Sequence, residues 1–380
     1  MCLWHYSNTF PLKLQTNVAF NVPKKKPLTL LLGVCPNFWD IYGINLFKTF
    51  FKLLLLHYFE KKESQMVVGF IGLGNLGHKL ASTLSRNSIK LVIHDINKSR
   101  AQKLIRDGAS WAANPRLVAK NCDQIITCLP SPEICADVME SENGVIQGLT
   151  KGKIWIEMST TSQDEVLRLA AKVKKKGAAS SDCPVSGGCH KAASGNISIF
   201  SGCERKVFER IKPILFLMGK KILHTGVLGS ASILKVMTNY LATANLVTCC
   251  EALTTMKGAG MDLATAFKAI KISSGNSFVH ETESQVILNG SRDINFTMAL
   301  VLKDIEIFQE LAKVNNIPLD ISPKLIEIFK EGVSSFGAES NSPSIIERLE
   351  RKTGLKISAP GFPAEIFDDE LEKKGFEVKL

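Results

Sequence analysis

Gly72-Leu73-Gly74-Asn75-Leu76-Gly77 is a G-x-G-x-x-G run, and its neighbours decide whether it carries chemistry. Val67–Ile71 before it is apolar and β-branched, as a short buried strand should be. Leu76, Leu80 and Leu84 after it recur every fourth residue, the apolar stripe of a helix. Lys90–His94 reads as a second strand, and Asp95 stands at its C-terminal end, 23 residues after Gly72. In that setting each residue type has a purpose. Gly72 permits a tight turn, Gly74 lets the backbone approach a pyrophosphate, and Gly77 lets the helix pack close to the strand. The helix N-terminus offers free N–H groups and a positive dipole end. Asp95 would accept hydrogen bonds from the adenosine ribose hydroxyls and repel a 2′-phosphate, which favours NAD over NADP. Lys98 and Arg100 nearby weaken that preference.

Other candidates lie further on. The strand-like run Gln124–Cys128 ends in Leu129-Pro130, and Lys153–Glu157 ends in Ser159-Thr160-Thr161. A doubly wound sheet binds its ligand at such strand ends. Pro184-Val185-Ser186-Gly187-Gly188 offers a hydroxyl and accessible N–H groups, a nest for a carboxylate, although a Gly-Gly turn is more often structural. Ile233, Leu234, Met237, Leu241, Ala244, Val247 and Cys250 recur at helical spacing and predict one helix of about 25 residues or more. Lys235 and Asn239 project side by side from it at i, i+4. Spacing alone would assign them to a solvated face.

The elements that must position these residues alternate. Short strands are expected around Ala178–Cys183, Asn196–Ser201 and Lys221–His224, after which the strand pattern stops. Helical stretches follow around Leu263–Ile272, around Phe296–Val314 with Lys303-Asp304, and over 318–352 with Ser342-Pro343 as cap and first-turn pair. Residues 353–380 hold two Pro and three Gly and read as an extended tail. The predicted fold is α/β: a Rossmann-type doubly wound parallel sheet over 66–228, joined by the long helix to an all-helical domain over 229–352.

Composition sets the outer bounds. The chain has 380 residues, 45% hydrophobic and 22% charged, which excludes disorder throughout. Its ten cysteines form no C-x-x-C or C-x-x-H pair, which argues against structural zinc, and their low density argues against a disulfide scaffold. Of the net charge of +11, residues 1–65 carry +5, and no basic cluster interleaved with aromatics follows them. Four Trp and four Tyr are too few for a nucleic-acid stacking platform. Residues 1–65 form an atypical extension rich in Phe, Leu, Tyr and Trp. Asn45, Lys48, Thr49 and Lys52 would make a narrow polar stripe on a helix over 41–59. A mitochondrial presequence should contain Arg, and this segment has none. An interfacial membrane helix is a second reading. The favoured third is an over-extended start, because Met66 stands directly before the first strand. No function is assigned to it.

Taken together, the motifs resemble those of the β-hydroxyacid dehydrogenases, the family of 3-hydroxyisobutyrate dehydrogenase and tartronate semialdehyde reductase, over residues 66 to about 352. The resemblance rests on the order of Gly69–Gly77, Leu129-Pro130, Ser159-Thr160, Pro184–Gly188, Lys235 with Asn239, and Lys303-Asp304. It implies that Lys235 is the catalytic acid/base and that Asn239 helps hold the substrate hydroxyl. It further implies that Ser159, Ser186, Gly187 and Gly188 bind the substrate carboxylate. Leu129, Pro130, Thr160 and Lys303 would contact the cofactor beside the 72–77 loop and Asp95. Homodimers or homotetramers built through the helical domains are implied too. The family's Asp-x-Ser-Thr reads here Glu157-Met158-Ser159-Thr160, and its Asn-Asn pair reads Thr238-Asn239, differences that bear on substrate identity. The 6-phosphogluconate dehydrogenases need a larger helical domain than 229–352.

The expected activity is hydride transfer between NAD, with NADP as the second choice, and a short 3-hydroxy acid or its semialdehyde. A free lysine, with a pKa of about 10.4, is a poor base at neutral pH. Partial burial beside Lys303 and the oxidised nicotinamide would lower Lys235 into a useful range. Alternatives are a tartronate semialdehyde, succinic semialdehyde or glyoxylate reductase on the same scaffold, or a non-catalytic cofactor-binding protein. The partner expected is a small molecule, with no nucleic acid and no metal, and membrane contact only through residues 1–65. A cytoplasmic location is expected ahead of a mitochondrial one.

Overall fold

The computed structural model describes residues 66–379, so the readings made on residues 1–65 fall outside the described residues. The chain opens with β1 (Val67–Ile71), α1 (Asn75–Arg86) and β2 (Lys90–His94), the predicted βαβ unit. A short α2 (Gln102–Arg106) and β3 (Ser110–Trp111) follow. Next come α3 (Pro115–Asn121), β4 (Gln124–Thr127), α4 (Pro132–Glu140), α5 (Val145–Gly148), β5 (Ile154–Glu157) and α6 (Gln163–Lys175). Helix starts are set by local chemistry. Asn114 and Ser131 accept the N–H groups of Leu117 and Ile134, and each is followed by a proline whose missing N–H costs nothing there.

The sheet then completes with β6 (Ala179–Asp182), β7 (Val185–Ser186), α7 (Gly188–Ala193), β8 (Ile197–Gly202), α8 (Arg205–Met218) and β9 (Gly219–Gly226). With β10 (Phe376–Val378) at one edge, its order is β10-β9-β8-β6-β5-β4-β1-β2-β3, and β7 pairs with β8. Central β1 runs parallel to β2 and β4, in the register Val68↔Leu91 and Val68↔Gln124. The sheet is dominated by parallel pairs, as expected, with one local departure. β8 is antiparallel to β6 and β7, because the short connection through α7 turns the chain back instead of crossing over the sheet. Alternation along β5 shows how both faces are buried. Ile154 and Ile156 join one core with Val68, Phe70 and Leu80, while Trp155 joins the opposite core with Ile125 and Leu169.

The long helix α9 (Ser230–Gly258) spans 29 residues and leads into α10 (Leu263–Lys271), α11 (Phe278–Asn289), α12 (Met298–Val314) and α13 (Ile321–Phe336). These enclose a third core around Leu253, Phe267, Ile287, Met298 and Phe329. The continuous helical reading of 318–352 needs correction. α13 ends before Gly337, a 3₁₀ turn covers Ser342–Ile346, and α14 covers Glu347–Thr353. Ser342 is not the cap: Asn341 is, and the Ser342 N–H and hydroxyl donate to Phe296 O (2.8 Å) and Glu283 Oε2 (3.2 Å).

The carboxy-terminal segment is more than an extended tail. Ile357 is buried in the helical core, and the Ala359 N–H donates to Leu288 O at 2.9 Å. Further on, Asp368 meets Lys191 (3.0 Å) and Asn196 (2.8 Å), and Glu372 meets Arg86 and Asn87. β10 (Phe376–Val378) then adds a parallel strand to β9. Its acidic run finds basic partners, Lys191 on α7 for Asp368 and Lys220 on β9 for Glu370. Among the described residues, no helix is long and apolar enough to cross a membrane.

Candidate active site

The 72–77 loop fits a dinucleotide on its own geometry. Gly72 has φ +93°, and a Cβ there would collide with the Cys128 carbonyl, so β1 and β4 end close together only because this residue is glycine. A Cβ on Gly77 would strike the carbonyl of Gly72, which is the close packing of helix on strand that the spacing predicts. A Cβ on Gly74 would meet no atom within 4 Å, so its backbone faces open space. No side chain caps α1, which leaves its first N–H groups and positive dipole end turned to that opening. The opening is a cavity of about 420 Å³ lined in part by Leu73, Gly74, Asn75, Ser99, Arg100 and Lys103.

Asp95 does more than sequence reasoning assigned to it. It is 6% exposed, and its carboxylate accepts the N–H groups of Leu73 (2.6 Å) and Asn97 (2.7 Å), with Arg100 3.8 Å away. The acid therefore braces the glycine loop before any ribose is considered. Each carboxylate oxygen retains a second acceptor position.

Lys235 lies in the first two turns of α9 and is only 9% exposed, so the solvated-face reading from spacing alone does not hold. Its ammonium donates to Asn239 Oδ1 at 2.6 Å, and Asn239 in turn donates through Nδ2 to Asp304 Oδ2 on α12. Asp304 is buried and pairs with Lys303, at 2.6 Å from Oδ1. Lys303 reaches back to the sheet and donates to the Thr160 carbonyl at 2.8 Å. One line of contacts thus joins Lys235, Asn239, Asp304, Lys303 and the loop after β5. Burial lowers the Lys235 amine to about 8; Asp304 opposes that shift and Lys303 adds to it. An amine so lowered would be able to exchange its proton near neutral pH.

The loops after β4 and β5 are tied by a buried network. The Leu129 N–H donates to Ser159 Oγ (2.7 Å), and the Ser159 N–H donates to Glu157 Oε1 (2.6 Å). Glu157 Oε2 also accepts from the Thr127 hydroxyl and the Cys135 thiol, at 2.7 and 2.8 Å. Burial pushes the Glu157 carboxyl upward, against the pull of these donors. The Leu129 side chain lies beside Gly72, which brings this loop to the glycine loop, and Pro130 continues it. Ser186, Gly187 and Gly188 stand apart from these contacts, at the end of β7 and the start of α7, where Ser186 pairs with Ser198 of β8. Sequence reasoning did not single out Asp304 beyond its place beside Lys303, and it missed Asp182 and Cys135. A buried carboxylate gives no periodic signal.

Two family descriptions match this chain: the NAD binding domain of 6-phosphogluconate dehydrogenase over residues 67–226, and the NAD-binding domain of NADP-dependent 3-hydroxyisobutyrate dehydrogenase over 229–349. The 2-(hydroxymethyl)glutarate dehydrogenase of Eubacterium barkeri is 31% identical over 297 residues, which are 78% of this chain and 99% of that protein. The chain belongs to the β-hydroxyacid dehydrogenase family. It is an NAD(P)-dependent oxidoreductase acting on a CH–OH group. The mitochondrial 3-hydroxyisobutyrate dehydrogenase of Rattus norvegicus is 29% identical, covering 75% of this chain and 88% of that one. The fold is shared with a 3-hydroxyisobutyrate dehydrogenase from Salmonella typhimurium, with a TM-score of 0.69 at 23% identity, over 74% of this chain and 99% of that chain. This family member carries 27 residues beyond Thr353, including the strand that docks on β9.

Proposed function

We propose that this dehydrogenase moves hydride between NAD(H) and a short 3-hydroxy acid or its semialdehyde, with Lys235 as general acid/base. The observation that carries the reading is the buried Lys235 amine, held by Asn239 and lowered to about 8. When bound, the nicotinamide supplies or accepts the hydride. The protein's own share is placement and proton transfer. In oxidation, neutral Lys235 takes the proton of the substrate hydroxyl; in reduction, its ammonium returns one. Asn239 fixes the direction of the amine and shares the hydroxyl. Ser159 and the Ser186–Gly188 turn receive the carboxylate, the latter through its N–H groups.

In this reading residues 66–228 hold the cofactor. Asn75, Leu76 and Gly77 at the start of α1 take the pyrophosphate, Asp95 the ribose, and Leu129, Pro130, Thr160 and Lys303 flank the nicotinamide end. Residues 229–352 carry the acid/base and the contacts between subunits of a homodimer or homotetramer. The two enzymes cited by name differ in substrate, so the hydroxy acid is the open variable.

The test is a panel of short 3-hydroxy acids and semialdehydes, with glyoxylate included, offered with NAD(H) and NADP(H) and followed by nicotinamide absorbance. A 3-hydroxy acid or its semialdehyde should give the highest kcat/KM. Cofactor binding without turnover of any member would favour the non-catalytic reading, and preference for glyoxylate would move the substrate class.

A further inference from the structure

Asp182, the last residue of β6, is fully buried, and what its carboxylate accepts is the beginning of α9. Oδ1 takes the N–H of Gly229 at 2.8 Å, and Oδ2 takes the N–H (2.8 Å) and hydroxyl (3.0 Å) of Ser232. Two of the backbone N–H groups left unpaired at this helix end, and one hydroxyl, are therefore satisfied by one side chain from the sheet. The fit is close. Gly202 pairs with Asp182 between β6 and β8, and a Cβ there would collide with the carboxylate. The titratable groups around it are the buried thiols of Cys183 and Cys203.

The location matters because of what lies on each side. Ser232 is three residues before Lys235, less than one helical turn, and Asp182 is four residues before Ser186. The carboxylate is also a negative charge at the positive end of a 29-residue helix. We propose that Asp182 is a positioning residue for the reaction, locking the first turn of the helix that carries Lys235 to the strand that leads into the Ser186–Gly188 turn. This rests on the function proposed above. Amine and carboxylate-binding turn then sit at one fixed separation, and hydride transfer requires that separation to hold within a fraction of an ångström to an ångström. Loosening the clamp lets water reach the amine and removes part of the burial that lowers it. Asp304 and Lys303, the charged groups that face Lys235 from α12, are untouched by the change.

The experiment uses the full chain with Asp182→Asn and Ser232→Ala. Two readouts are taken: kcat and KM for cofactor and best substrate, and the pH dependence of Lys235 acylation by acetic anhydride, followed by peptide mass spectrometry. Asp182→Asn, folded by circular dichroism, should lose at least about tenfold in kcat with cofactor KM within about twofold. Its Lys235 labelling midpoint should move up from about 8 toward the ordinary lysine value. Ser232→Ala should move both in the same direction by less. A folded Asp182→Asn enzyme whose labelling midpoint stays in place overturns the proposal, whatever its kcat. If Asp182→Asn does not fold, Ser232→Ala decides, and an unmoved midpoint in that variant overturns it. Labelling needs no turnover, so failure of the substrate panel would sink the proposed function without deciding the role of Asp182.

Discussion

The glycine loop at 72–77 and the Lys235 cluster would, in the proposed reaction, contribute by opposite means. The loop uses six consecutive residues and works through the backbone: a positive φ at Gly72, open space at Gly74, uncapped N–H groups on α1. The cluster uses side chains from α9, α12 and the loop after β5, with contacts spanning up to 143 positions. In the loop, glycine is both the sequence signal and the physical cause. In the cluster the cause is burial, which no single residue type announces. A local device is robust to everything except changes in its own residues, whereas a distributed one depends on how several elements are packed.

The largest expected effect tests the distributed side. Lys235→Ala should lower kcat by about 10²–10⁴-fold, the range for loss of a general acid/base, with little change in cofactor affinity. Lys235→Arg should rescue poorly, because guanidinium keeps its proton. Oxidation needs the neutral amine, so its rate should rise with pH through about 8, while reduction should fall over the same interval. Both limbs should vanish in the alanine variant. Near-full activity of Lys235→Ala would transfer the role to Lys303, the next amine along the line of contacts.

The local side is tested by two alanines in the same loop. Gly72→Ala forces a positive φ on a residue with a Cβ, at a cost of about 1–3 kcal/mol before the collision with Cys128 is counted. It should lower Tm and cofactor affinity together. Gly74→Ala meets no protein atom and should leave Tm unchanged while weakening cofactor binding by roughly tenfold or more, about 1.4 kcal/mol. Isothermal titration with NAD and thermal melts separate the two. If Gly74→Ala binds NAD normally, the open space at Gly74 is not where the pyrophosphate sits.

Asp95 belongs to both descriptions, as a side chain that braces a backbone loop. Asp95→Asn keeps an acceptor and removes the charge. The ratio of kcat/KM for NAD over NADP should fall by roughly tenfold, the worth of one charge-assisted hydrogen bond. An unmodified enzyme that already prefers NADP would instead point to Arg100 and Lys103, which line the same cavity, as its phosphate contacts.

The same contrast explains what was legible in the sequence. The βαβ unit was read from Val67 to His94 with its boundaries intact, because strand, glycines and helix stripe are contiguous. The length of α9 followed from its periodicity. Lys235 was different: i, i+4 spacing with Asn239 suits a surface face equally well, and only the resemblance to known dehydrogenases moved it inside. Asp182 and Glu157 act through partners 47 and 30 positions away, so local pattern is silent about both. Ser342-Pro343 has the form of a cap, yet contacts with Phe296 and Glu283 claim the serine. The tail was read as merely extended, whereas its acids pair with Lys191 on α7, Lys220 on β9, Arg86 on α1 and Arg205 on α8, partners too distant in sequence for a local pattern to show.

That tail yields the smallest expected effect, and it touches both regions. Residues near Ile357 lie in the helical core, while Asp368 is held by Lys191, Ser194 and Asn196, on α7 and its connection to β8. Burial pushes the Asp368 carboxyl upward, but the hydrogen bonds from these three groups outweigh it and bring it down to about 2. A carboxylate held below its unfolded value of 3.8 contributes stability that is complete above that value and is lost as pH falls through about 2. Asp368→Asn should therefore cost about 1–3 kcal/mol at pH 7 and lower Tm by several degrees. The gap between the two melting curves should close as the pH is taken from 4 toward 2. Because none of these contacts reaches Lys235, the pH dependence of kcat should be that of the unmodified enzyme. Equal melting temperatures at pH 7 would mean that the segment is not docked on the sheet, and a displaced kcat profile would mean that the distributed site extends as far as α7.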